Sequence, residues 1–255
     1  YILRGGWPGS IDLTLAEASL LPKEYVKAIV EDDVYRMDGI KRDTNKMRLL
    51  LRSLARNEST TVTNRTLKND VKEIDDEDID ANTINEYLNI FERLFLINNQ
   101  KPFSASVRSS VRIKQAVKRH FVDPSISAAL LGVTSSSLLN DLETLGLLFE
   151  ALCERDLQIY ADAFGGSLYH YQDYKNREID AVVECPDGEW CAFEIKLGAN
   201  QIDAAAEGLL RLKAEFEADP RGRPPKVLCV LCGLSNAAYQ RPDGVFVVPL
   251  TALRD

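Results

Sequence analysis

Asp180, Glu194 and Lys196 are the residues of this chain whose types and spacing can do chemistry. They lie in Glu178-Ile179-Asp180-Ala181-Val182-Val183-Glu184 and in Trp190-Cys191-Ala192-Phe193-Glu194-Ile195-Lys196. Both stretches read as β-strands, joined by a tight corner at Pro186-Asp187-Gly188. A hairpin centred on Asp187 sets Asp180 across the ladder from Glu194 and puts Lys196 further along the same face. Facing carboxylates repel, and a divalent cation between them reverses the sign of that interaction. Hard cations such as Mg²⁺ take oxygen ligands and keep several waters. Asp180 and Glu194 are therefore candidate ligands for Mg²⁺ or Mn²⁺. The bound ion would lower the pKa of a water and offset phosphate charge, the chemistry of phosphodiester hydrolysis. Lys196 is the candidate catalytic residue that orients the water or stabilises a developing oxyanion. Glu150, on a helix after Leu147-Leu148-Phe149, is a candidate second catalytic acid at the same end of the sheet. A plainer reading competes: the same register sets Glu178 opposite Lys196, a cross-strand ion pair worth roughly a few tenths of a kcal/mol.

The rest of the composition narrows the chemistry. The 255 residues carry a formal net charge of −8, which argues against nucleic-acid binding through the whole surface. One local window, with Lys101, Arg108, Arg112, Lys114, Lys118 and Arg119, contains no acidic residue, whereas residues 73–80 form an acidic run. His120 and His170 are the only histidines, so a histidine-based triad or metal site is not expected. Cys229 and Cys232 have CxxC spacing but sit in a buried-strand pattern, where residues three apart point to opposite faces. Small apolar core cysteines in a reducing, cytoplasmic setting are the expectation. No G-x-x-x-x-G-K-[ST] is present, so a P-loop is excluded from this stretch. No apolar run approaches the ~20 residues of a membrane span, and no membrane partner is expected. No signal-peptide pattern is visible at the start, and the chain begins with Tyr1 in place of Met, which suggests a piece of a longer protein.

The elements that must position these residues fall into three stretches. Residues 1–30 read as a lead-in, with turn chemistry at Gly5-Gly6-Trp7-Pro8-Gly9 and a helix opened by Pro22. Residues 31–123 show helices over 45–56 and from Thr63 through Ile74, then a longer one capped by Asp80 or Asn82. Ile84, Leu88, Phe91 and Phe95 form its buried stripe. The basic alternation from Arg112 to Val122 suggests a strand. Helix, helix, helix, strand is the order of a winged helix-turn-helix. Asn85 and Asn89 on the third helix can read bases, while Glu86 and the acidic run would repel phosphate, so a protein-docking face competes with a DNA-reading one. Arg112, Lys114, Lys118 and Arg119 are the stronger phosphate-contact candidates, with a merely solvated basic face as the alternative. Residues 124–255 predict a long helix over 138–156, strands over 168–172, 178–184 and 190–196, a helix over 201–218, and strands over 227–232 and 245–248. That order is α/β with a mixed sheet.

The succession Glu24-Tyr25-Val26-Lys27-Ala28-Ile29-Val30, Asn82 to Leu88, Lys118 to Pro124, Gly146-Leu147-Leu148-Phe149-Glu150, Glu178-Ile179-Asp180 and Phe193-Glu194-Ile195-Lys196 resembles domain of unknown function family 4143, from about Lys23 onward. That region follows the ATPase core of prokaryotic P-loop ATPases of AAA+ type. The resemblance implies a winged-helix domain followed by a restriction-endonuclease-like domain of the PD-(D/E)XK type. It places the metal positions on Asp180 and Glu194, the lysine on Lys196 and the first-helix acid on Glu150. It also implies a DNA partner, an ATPase core bearing the ATP site outside this chain, and a homo-oligomer. A non-catalytic module that docks nucleic acid or protein is the alternative, since fold alone does not carry function.

Overall fold

The computed structural model describes residues 1–75, 78–104, 116–173, 177–219 and 222–253. They divide into two compact units, Tyr1–Asn99 with Val117–Leu152 and Gln100–Ala116 with Cys153–Asp255. Among the described residues no helix is long and apolar enough to cross a membrane.

The first unit is helical. Asp43 caps the helix Thr44–Arg56, accepting the amide N–H groups of Asn45 and Lys46, each at 3.0 Å. Asp80 does the same for Ala81–Arg93 through Asn82 and Thr83 at 2.8 and 3.0 Å. Between them lies Asn64–Asp75. Thr44–Arg56 is central: Met47, Leu50, Leu51 and Leu54 are buried, and it packs on Asn64–Asp75 and on the helix Pro124–Leu131. The Pro22 helix, Leu21–Ala28, continues through a π-turn at Ile29–Asp33 into Val34–Asp38, longer than the sequence suggests. The lead-in is docked rather than loose. The Gly6 N–H donates to Asp123 at 2.9 Å, the Trp7 indole N–H donates to Ser125 at 2.9 Å, and the Trp7 ring lies 4.8 Å from Tyr25.

Three local readings are corrected. Phe95 is not part of the buried stripe: the helix ends at Arg93, Phe95 has a φ of 54° and is 75% exposed, and Leu96 takes the core position. The long helix is broken: Ser135–Asn140 is a short helix of its own, and Asp141 then caps Leu142–Ala163 through the Thr144 amide at 3.0 Å. Residues 105–115, including the first four residues of the basic alternation with Arg112 and Lys114, lie outside the described residues. The described remainder makes only isolated bridges, Thr60 to Arg119 and Ile97 to Phe121, in place of a continuous strand.

Among the described residues the second unit is a seven-stranded mixed sheet in the order β1-β2-β3-β4-β5-β7-β6. The strands are β1 (Lys101–Pro102), β2 (Ser167–Gln172), β3 (Glu178–Glu184), β4 (Trp190–Lys196), β5 (Val227–Cys232), β6 (Tyr239–Gln240) and β7 (Phe246–Val248). β2, β3 and β4 form an antiparallel meander, and β5 runs parallel to β4. The connection between them is the helix Ile202–Ala218, as a parallel pair requires. Ala205, Leu209 and Leu212 of this helix pack with Trp190, Ala192, Leu228, Val230 and Cys232. Those residues alternate along β4 and β5, so they mark one face of the sheet. The two-residue edge strands β1 and β6 have no periodicity for sequence to reveal.

Candidate active site

The β3–β4 turn sets the register. The Cys185 N–H donates to the Glu189 carbonyl at 2.7 Å, Asp187 accepts the Glu189 N–H at 2.9 Å, and Gly188 takes a φ of 83° that suits glycine. The ladder then pairs Glu184 with Trp190, Val183 with Cys191, Val182 with Ala192 and Ala181 with Phe193. This is the hairpin centred on Asp187, and its next step brings Asp180 to Glu194. On the other side of β3 the register shifts between Tyr169 and Tyr171 of β2. His170 there stands against both Ala181 and Asp180, a β-bulge in β3. Bulges bend a strand and re-aim a side chain, and this one falls on Asp180.

The three side chains meet. The Lys196 ammonium lies 3.0 Å from Asp180 Oδ2 and 2.7 Å from Glu194 Oε2. The Ile195 N–H donates to the same Asp180 oxygen at 2.7 Å. Both carboxylates are 14% exposed and the lysine side chain 26%. Burial and then the Asp180 charge raise the Glu194 pKa, with Lys196 offsetting part of the effect. Burial pulls the Lys196 ammonium the other way, but the two carboxylates outweigh it and hold its pKa above the usual range. Glu178, the alternative partner for Lys196, instead accepts from Gln172 Nε2 at 2.6 Å.

The donor set fits a hard cation: two carboxylates crowded so closely that each penalises the other's charge. Among the described residues no three His, Cys, Asp or Glu side chains converge as a ready metal cluster. Water would complete the shell, as Mg²⁺ permits. The positive charge between the carboxylates is at present the Lys196 ammonium.

Glu150 belongs to the first unit, where it is ion-paired with Lys118, and both side chains are largely buried. Lys118 therefore spends its charge inside the fold. Arg119 donates from Nη2 to Asn64 Oδ1 at 3.0 Å, and Asn64 Nδ2 donates to Asn85 Oδ1 at 2.6 Å. Arg119 and Asn85 are thus joined through Asn64, which sequence reading treated only as part of a helix start. Asn89 is exposed one turn beyond Asn85. Glu86 is held at 2.7 Å by Arg42, whose guanidinium also forks onto Asp38. Arg42 carried no motif, so only the fold shows that it screens Glu86. Arg112 and Lys114 lie outside the described residues.

Residues 1–137 match the family described as a domain of unknown function (DUF8612), and residues 145–253 match the family described as a domain of unknown function (DUF4143). The second match includes Glu150, Asp180, Glu194 and Lys196. It does not reach back to Lys23 as the resemblance suggested, because most of that stretch falls to the other family. No curated protein and no solved structure matches the chain.

Proposed function

The chain belongs to the DUF8612 family and carries a DUF4143 region, and we propose that this second region is a metal-dependent phosphodiester-cleaving module of the PD-(D/E)XK kind. One observation carries the reading: Asp180 and Glu194 converge on Lys196 where a β-bulge meets the end of the β3–β4 ladder. The order helix, three antiparallel strands, helix, parallel strand supports it. The reading extends to a DNA-contacting winged helix in the first unit and to an ATPase core that would supply ATP binding in the longer protein. Both rest on resemblance, with a homo-oligomer as the corresponding assembly.

In this reading Asp180 and Glu194 hold Mg²⁺ or Mn²⁺. When bound, the ion polarises phosphate and activates water. The Ile195 amide fixes one Asp180 oxygen, so the carboxylate is oriented before any ligand arrives. With the carboxylates holding the ion, Lys196 would be a point charge beside the reacting phosphate, where it would stabilise developing negative charge. Cleavage of single- and double-stranded DNA in Mg²⁺ tests this. Lys196→Ala should lower the rate by at least about 10²-fold, the scale of losing one electrostatic stabiliser. Equal cleavage by both proteins would place the activity outside this site.

A non-catalytic docking module is favoured by a different observation. Lys196 already bridges both carboxylates, which is how a purely structural ion cluster would look. DNA binding without cleavage, unaffected by divalent cation, would select it.

A further inference from the structure

The helix Thr44–Arg56 is buried around most of its circumference and shows solvent one narrow strip. From Asn45 to Arg56 the exposed residues are Asn45, Arg48, Arg52 and Arg56. Leu49, Leu50, Leu51, Ser53, Leu54 and Ala55 between them are buried. A spacing of four residues puts Arg48, Arg52 and Arg56 in one row on one face. Each step is about 6 Å along the axis, so the row is about 12 Å long.

The fold's own ion pairs do not account for this row. Arg48 is held by Glu31 at 2.6 Å, and Arg56 complements the negative end of its helix. Arg52 has neither role. Among the described residues neither Arg52 nor Arg56 makes an ion pair. Like charges four residues apart repel, so the spacing costs the helix stability. The whole chain carries a net charge of −8, and the strip reverses that sign locally with no acid among its exposed residues. The helix Ala81–Arg93, which carries the base-reading candidates Asn85 and Asn89, has the opposite balance: Glu86 and Glu92 are exposed beside Arg93.

We propose that this arginine row is a contact surface for the phosphodiester backbone of a nucleic acid, with Arg52 and Arg56 as the principal contacts and Arg48 completing the row. The inference rests on the reading that the first unit meets nucleic acid, and it moves the contact from the helix Ala81–Arg93 to Thr44–Arg56. A guanidinium forks onto two phosphate oxygens. The length of the row matches roughly three or four phosphates along one strand. The strip exposes no apolar residue. It therefore lacks the buried anchor of a protein interface and the apolar face that a membrane surface requires. Contacts made to phosphate alone position the chain without reading sequence.

Fluorescence anisotropy of the full chain with a short labelled DNA of random sequence, single-stranded and as a duplex, tests the proposal over a salt series. Arg52→Gln with Arg56→Gln keeps good helix formers at both exposed positions. This pair should weaken binding by about tenfold or more and lower the salt slope on the duplex by about 1.8, two phosphates at roughly 0.9 each. Arg52→Lys with Arg56→Lys should keep the slope; a lysine pair as weak as the glutamine pair would overturn the assignment. A glutamine pair that binds like the wild type would also overturn it. If Arg112→Gln with Lys114→Gln then weakens binding, the DNA reading stands and this surface alone fails. Absence of wild-type binding to either DNA would overturn both. Labelled poly-glutamate bound as tightly as DNA, with the same loss in the glutamine pair, would assign the row to an acidic polypeptide and overturn the nucleic acid.

Discussion

Lys196 has two tasks in this account, and they make it separable from its neighbours. With the cation absent it holds two buried carboxylates together; with the cation bound it faces the substrate. Lys196→Met should therefore reduce cleavage while leaving divalent-cation affinity equal to or above wild type, whereas Asp180→Asn should remove the cation and cleavage together. Titration calorimetry beside a cleavage assay separates these outcomes. A second buried acid makes a different prediction. Glu58 is fully enclosed in the first unit and accepts from the Phe121 N–H at 3.2 Å and from the Ser127 hydroxyl. His120 Nδ1 lies 3.3 Å away and Lys118 adds a positive charge. Burial outweighs these contacts and pushes its pKa from 4.5 up to about 8. The folded chain thus holds a proton that the unfolded chain has released. This contribution to stability is fully present below the ordinary carboxylate range, and it is lost as pH rises toward about 8. Urea midpoints should fall across that window in the wild type and fall less steeply in Glu58→Gln.

At the scale of elements, the helix Ala81–Arg93 shows a local cost that packing imposes. Phe95 sits just past its end in the left-handed region, a place suited to glycine, and its ring is largely in water. The fold accepts this because Leu94 and Leu96 on either side must reach the core. Phe95→Gly should raise stability by about 1 kcal/mol, since the left-handed penalty goes and little burial is lost. Asp80→Ala, at the other end, should cost about 1 kcal/mol through two orphaned amides. Denaturant unfolding checks both. The hairpin was legible in sequence because a glycine turn and period-two alternation fix register from local information alone. Phe95 was not, because helical spacing continues on paper beyond the point where the backbone turns. The bulge at Asp180 was equally hidden: it is a relation between β2 and β3, and β3 alone reads as a regular strand. The Lys118–Glu150 ion pair was missed for the same reason, being a contact between segments far apart in sequence.

At the scale of the molecule, the two units have separate apolar cores, and each carries one tryptophan. Trp7 lies with Tyr25 in the first, and Trp190 lies 4.7 Å from Phe103 in the second. Trp7→Phe leaves Trp190 as the reporter of the sheet. A divalent cation held by Asp180 and Glu194 should raise the unfolding free energy reported by Trp190, by about 2.7 kcal/mol at a hundredfold excess over Kd. The mixed α/β character of the second unit and the helical character of the first follow from patterning in the sequence. The screening of Glu86 by Arg42, and the use of Lys118 inside the fold, emerge only from the assembled structure. The central claim is that the two carboxylates beside Lys196 form a cation site. Crystals soaked in millimolar Mn²⁺ test it most directly. The account predicts an anomalous peak between Asp180 and Glu194 with the Lys196 ammonium moved away, and no peak in Asp180→Asn; an unaltered Lys196 bridge with no Mn²⁺ between the carboxylates would contradict it.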